Sequence, residues 1–239
     1  MKQHIKRHYE QLYREQKGAN KFSSLGGKPL AQELAYPAGI IDVFPYEIWE
    51  DFLSCGNVLP LLHPKPLDRV LNLGCGAGID SIAMRLSAGT GFAIVNLDIA
   101  ASALIKACDL SGRFFPGFEF AFVCADGDSL PFESDSFDWI ILNGVFNLFP
   151  EKGELMVELN RILKPGGVVV GADLCRRAIL PDYFASEPDA WAWCMSGALP
   201  QEELSAVFAS HGFTRLDLAS ENMDEYFDRV IFAFRKVSP

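Results

Sequence analysis

Three glycines at alternate positions in VLNLGCGAGID (70–80), Gly74, Gly76 and Gly78, leave a stretch of backbone without side chains. A ligand can approach the N–H groups of such a loop closely, and the chain can turn sharply there. Two acids stand at the ends of strand-like runs nearby: Asp98 closes FAIVNLD, and Asp126 follows FEFAFVC. Carboxylates so placed accept hydrogen bonds from hydroxyl or amino groups. The third reactive set is six cysteines, Cys55, Cys75, Cys108, Cys124, Cys175 and Cys194, with no CxxC spacing of the kind that holds zinc. Cys194 sits in WAWCMSGALPQEE (191–203), after Trp191 and Trp193.

Spacing narrows the ligand of the glycine loop. A dinucleotide loop, GxGxxG, needs its third glycine at position 79, where this chain has Ile79. Pyrophosphate binding is therefore the weaker reading, and S-adenosylmethionine, the other cofactor held by such loops, the stronger. Asp98 suits ribose hydroxyls in either case. Without Asp98 and Asp126 the glycines would be ordinary strand-to-helix turn residues.

The elements that must position these groups are visible from residue 68 onward. Short β-branched runs at 69–73, 92–98, 118–124, 137–143 and 167–174 alternate with helical stretches near 79–87, 100–111 and 151–163, the last stopped by KPGG. A helix at 201–210 and two consecutive strand-like runs, TRLDLAS and RVIFAFRKV, complete the pattern. The fold class expected is α/β: a Rossmann-like, seven-stranded, mostly parallel sheet with helices on both faces and an antiparallel last pair. Residues 1–66 and 175–200 fit neither period. They are expected to be an N-terminal cap and a cap insertion in a domain spanning 67–239, with Trp191 and Trp193 near the pocket mouth.

The net charge of −10 works against binding to a phosphate backbone, which needs a clustered basic surface. No run approaches the ~18 apolar residues of a membrane helix, and the charged N-terminus is unlike a secretory signal. A cytoplasmic protein with free thiols and a small-molecule partner, neither nucleic acid nor membrane, is expected. Cys108 and Cys124 are expected in the core, and His4 and His8 on an exposed polar helix face.

With CADGDSLPF (124–132), FDWIILNGVFNLF and LKPGG, the glycine loop resembles the class I S-adenosylmethionine-dependent methyltransferases over about residues 68–174. The resemblance implies cofactor contacts from Asn72, Gly74, Cys75, Gly76 and Gly78, from Asp98 and Ile99 beside the ribose, from Asp126 and Gly127 at the adenine, and from Asn143. One departure is Asn72, where the family usually has an acid that helps to position the methionyl ammonium. The flanks are similar to the arsenite methyltransferases: FLSCGNVLP supplies Cys55 and CMSGALPQEE supplies Cys194. That branch has a further cysteine after the fourth strand, where NGVFNLF has Gly144; Cys175 is a candidate third thiol.

Methyl transfer from a sulfonium needs alignment and exclusion of water. A lone-pair acceptor such as trivalent arsenic needs no base. An alcohol or amine would need one, with Asp173, His63, Tyr36 and Tyr183 as candidates. Three readings stay open: methyl transfer to a small organic molecule, methylation of arsenite or another thiophilic metalloid, and cofactor binding without transfer.

Overall fold

The computed structural model describes residues 1–14, 26–182, 184 and 187–238. Tyr183, one of the candidate bases, lies outside them. Seven strands form one sheet: β1 (Arg69–Leu73), β2 (Ala93–Asp98), β3 (Ala121–Cys124), β4 (Phe137–Asn143), β5 (Leu163–Arg176), β6 (Phe213–Asn222) and β7 (Phe227–Lys236). Their order is β3-β2-β1-β4-β5-β7-β6. The first five are parallel, and β7 runs antiparallel to both neighbours. The winding reverses between β1 and β4, which opens a crevice at their carboxyl ends, where α/β sheets bind ligands.

Helices cover both faces, as buried central strands require. α5 (Ile79–Ala88), α6 (Ala101–Phe114), α7 (Lys152–Ile162) and α9 (Gln201–Ser210) alternate with the strands, while α1 (Lys2–Arg14), α2 (Gly27–Glu33), α3 (Ala38–Val43), α4 (Tyr46–Trp49) and α8 (Pro188–Ala192) belong to the flanking segments. One apolar layer joins Ile48, Trp49 and Phe52 to Ile82, Met84 and Val170. The other gathers Leu71, Phe146, Met156 and Phe208. Phe208 stacks on Phe234 with centroids 4.1 Å apart and packs edge-on against Phe213.

Local structure departs from the periodic reading in four places. β3 begins at Ala121 rather than 118, because Phe115 and Phe118 stack ring on ring, 5.3 Å apart, in the turn before it. β5 starts at Leu163, running through KPGG, with a register shift opposite Phe137/Trp139 and Gly166 at φ +77°. α1 is not a polar surface helix. Its Ile5, Tyr9 and Tyr13, spaced i, i+4, i+8, form one inward stripe, and His8 packs edge-on against Trp193 at 5.6 Å while His4 faces Asp189. Finally, Cys108 and Cys124 are exposed. Cys124 lies on the edge strand β3, which has a neighbour on one side only.

Phe208 is fully buried among four phenylalanines. Phe208→Ala is expected to lower unfolding stability by about 3–5 kcal/mol, whereas Cys124→Ala should change it by no more than about 0.5 kcal/mol. Urea unfolding of the two variants checks both values.

Candidate active site

A cavity follows the carboxyl edge of the sheet. Asp126 and Gly127 lie past β3, Asp98 and Ile99 at β2, Gly74, Cys75 and Gly76 after β1, and Asn143 at β4, and all line it. Asn72 and Gly78 do not. Asn72 is buried and donates to Ser81 Oγ at 3.0 Å, which donates to Asn96 at 2.6 Å. Gly78 serves packing, since a Cβ there would stand 3.1 Å from that of Ala107 on α6.

The remaining glycines are demanded by space and backbone together. Gly74 and Gly76 have φ of +70° and +53°, which side chains rarely adopt. A Cβ on Gly74 would meet Val145 at 2.5 Å, and one on Gly127 would meet the Phe149 ring at 2.5 Å. Asp98 receives Gly76 N–H at 2.9 Å and Ala100 N–H at 2.9 Å, which fixes its carboxylate; burial nonetheless raises its pKa. Asp126 forms an ion pair of 2.9 Å with Lys2, which also bonds Asp128. Bare backbone, a fixed carboxylate and the Phe149 ring in one trough fit a nucleoside-containing cofactor.

Several lining residues had escaped the sequence reading: the α1 stripe of Ile5, Tyr9 and Tyr13, Leu53 and Ser54 before Cys55, Phe149, and Asp80. The i, i+4, i+8 spacing in α1 was a usable signal. Asp80 stands two residues beyond the last glycine, at the start of α5. It accepts hydrogen bonds from Tyr36 at 2.5 Å and Asn143 at 2.9 Å.

A second cavity of about 690 Å³ adjoins the first, sharing Tyr9, Leu53, Ser54 and Gly144 with it. Its walls include Phe184, Trp193, Met195, Tyr226 and Phe227, together with Cys55 and Cys194. The segment carrying Cys194 is clamped to the sheet, because a Cβ on Gly197 would fall 1.9 Å from the Asn147 carbonyl oxygen. Cys194 itself has φ +65°, a strained value for a residue with a side chain.

The thiols of Cys55 and Cys194 and a carboxylate oxygen of Asp173 lie within 4.8 Å of one another. Cys194 Sγ also donates to the Gly144 carbonyl at 3.3 Å. Its hydrogen bond with Cys55, burial and the Asp173 charge push the Cys194 thiol well above its usual pKa. Burial lifts Asp173 to about 6, against donors from Asn147 and Leu174 N–H. Lys152, held down to about 8 by burial, stands near enough to feel that charge. Cys175 is packed into the apolar layer that holds Val169, Phe208 and Phe232, its pKa pushed up to about 12 by burial, and its thiol does not join the pair. Of the other candidate bases, His63 is exposed away from both cavities, and the Tyr36 hydroxyl is committed to Asp80.

Residues 64–212 match the family model described as a methyltransferase domain. An arsenite methyltransferase of Halobacterium salinarum is 29% identical over 71% of this chain and 43% of its own length. A demethylmenaquinone methyltransferase of Clavibacter sepedonicus is 31% identical over 72% of this chain and 79% of its own. The chain spans about half the length of the arsenite methyltransferases it matches. Among solved structures, an arsenic(III) S-adenosylmethionine methyltransferase from Chlamydomonas reinhardtii shares the fold with TM-score 0.71, at 24% identity, over 86% of this chain and 75% of that one.

Asp98 offers the trough a charged acceptor, and charge-assisted hydrogen bonds are its expected contribution. Asp98→Ala should weaken binding of S-adenosylhomocysteine by about 1–3 kcal/mol. Calorimetry with unchanged affinity would remove Asp98 from the cofactor site.

Proposed function

We propose, from the premise that this chain belongs to the class I S-adenosylmethionine-dependent methyltransferases, that it methylates a small organic acceptor seated in the aromatic chamber beside the cofactor trough. When bound, the cofactor supplies an electrophilic methyl group on a sulfonium. The residues proposed to hold it are Gly74, Cys75 and Gly76, with Asp98 and Ile99 at the ribose, Asp126 and Gly127 at the adenine, and Asn143.

The observation that carries the acceptor reading is the second cavity. About 690 Å³ bounded by Phe184, Trp193, Met195, Tyr226 and Phe227 is far more apolar room than a single metalloid atom needs. Its shared wall of Tyr9, Leu53, Ser54 and Gly144 sets an acceptor next to the trough, so that orientation supplies much of the rate. An acceptor hydroxyl or thiol must lose a proton. Asp173, with a carboxylate oxygen within 4.8 Å of the Cys194 thiol on the chamber wall, is the group proposed to receive it.

A second reading rests on the thiol pair. Two soft sulfur donors and a carboxylate within 4.8 Å suit a trivalent thiophilic centre such as arsenic, the substrate named for the Halobacterium relative. Gly144 leaves this set one thiol short of the pattern in that branch. The six unpaired cysteines suit a reducing compartment, which supports a cytoplasmic location. No helix among the described residues is long and apolar enough to cross a membrane.

Transfer of label from methyl-labelled cofactor to small phenols, quinols and thiols, with arsenite run in parallel, separates the two readings. Organic acceptors should be labelled, and Cys194→Ser should keep most of that activity. Robust arsenite turnover, abolished by Cys194→Ser, would replace the first reading with the second.

The pH dependence follows from Asp173. Below its pKa of about 6 the carboxyl is protonated and cannot accept a proton; above it, it can. For a neutral hydroxyl acceptor kcat/KM should therefore rise with pH through about 6, and Asp173→Asn should lower the plateau by about 10²–10⁴-fold and remove that inflection. An unaltered pH profile in the variant would show that Asp173 does not handle the proton.

A further inference from the structure

One half-buried acid in the trough has no charge to answer it. Asp80 lines the cavity between the glycine loop and Asn143, and its two oxygens accept only neutral donors, Tyr36 Oη at 2.5 Å and Asn143 Nδ2 at 2.9 Å. Among the described residues no lysine, arginine or histidine pairs with it, whereas the buried Asp51 is paired with Lys106 at 2.9 Å. Burial accordingly raises the Asp80 pKa. A carboxylate enclosed by protein without a cation is costly unless a ligand supplies the cation.

The order of groups along the sheet edge says which part of the ligand that is. Asp126 lies past β3 and Asp98 at β2, so a cofactor with adenine at the first and ribose at the second extends its amino-acid end toward β1 and β4. That is where Asp80 stands. Asn72, the position at which an acid would ordinarily serve, is turned away into its bond with Ser81 and is absent from the cavity wall. We infer that Asp80 is the counter-ion of the methionyl ammonium, taking the part that Asn72 cannot play.

The arrangement also explains the company Asp80 keeps. Tyr36 donates from the N-terminal segment, and the Asn143 amide that donates to Asp80 accepts Cys55 N–H at 3.0 Å. Both neutral donors hold the carboxylate in place without cancelling its charge. Asp80 is thus a cofactor-binding residue, and one that the motif-based reading passes over.

This inference rests on the family's cofactor, and ligand truncation tests the two separately. Calorimetry would compare wild type with Asp80→Asn, using S-adenosylhomocysteine and 5′-methylthioadenosine, which keeps the nucleoside and lacks the amino-acid end. The asparagine variant should bind S-adenosylhomocysteine about 10- to 100-fold more weakly, the loss expected for a charge-assisted hydrogen bond, and methylthioadenosine within about 2-fold of wild type. Equal losses for both ligands would show a merely structural role and overturn the inference, as would no loss for either. Wild type binding neither ligand would instead overturn the cofactor assignment itself. Because Asp80→Asn also changes the partner of Asn143, Tyr36→Phe serves as the control: it removes a hydrogen bond to Asp80 but leaves the charge, and should cost S-adenosylhomocysteine much less than Asp80→Asn does.

Discussion

The carboxamide of Asn143 is the junction on which both cavities depend. Its Nδ2 shares two hydrogens among three acceptors, Ser54 Oγ at 2.8 Å, the Gly56 carbonyl at 2.8 Å and Asp80 at 2.9 Å, while Oδ1 accepts Cys55 N–H at 3.0 Å and Gly56 N–H at 3.3 Å. A partly buried amide with that many partners is fixed in one orientation, since turning it over would set donors against donors. It ties the end of β4 to the loop bearing Cys55 and to the first turn of α5. The distance between thiols and trough is therefore set by backbone and amide, not by flexible side chains. Gly56 tightens the same joint, because a Cβ there would come within 2.7 Å of Ala172 on β5.

Around this joint the chain concentrates enclosed acids along one edge of the sheet. Asp98, Asp80 and Asp173 all carry pKa values raised by burial, yet each is held by backbone or amide donors that favour the ionised form. Desolvation and hydrogen bonding thus pull in opposite directions at each of these carboxylates. Such groups stabilise a cationic ligand more than solvent-exposed acids can, because little water screens them. Lys152 is the opposite case. Burial lowers its pKa to about 8, and the Asp173 charge works to keep it protonated.

How much of this was legible in the sequence depends on whether the signal was local. The strand periods and the order of motifs gave the sheet, and the positive φ values of Gly74, Gly76 and Gly78 follow directly from residues that lack a Cβ. The inward stripe of α1 was written at helical spacing but masked by seven lysines, arginines, histidines and acids in the first fourteen residues. Cys108 and Cys124 read as core because free cysteine is among the most buried residue types, whereas an edge strand and the outer side of α6 leave them exposed. Asp80 was invisible for a different reason. Its importance lies in having no cation near it, and that can be judged only when residues 36, 54 and 143 are brought together in space.

Gly144 shows how a single position sorts the chemistry of the chamber. A Cβ there would stand 3.1 Å from Cys55 Sγ, so a cysteine at this position would enter the thiol pair directly. The backbone argues against one: φ is +67°, and its carbonyl accepts the Cys194 thiol while its N–H donates to Ala172 at 2.8 Å. Both hydrogen bonds hold the peptide in the left-handed region, where a side chain costs about 1 kcal/mol or more. Glycine thus removes a soft donor and at the same time opens the wall between the two cavities. The thiols that remain line an aromatic chamber, and the Asp173 charge discourages ionisation of Cys194. Under the proposed function, Cys194 stays a thiol that packs against the organic acceptor rather than a thiolate held for a metalloid.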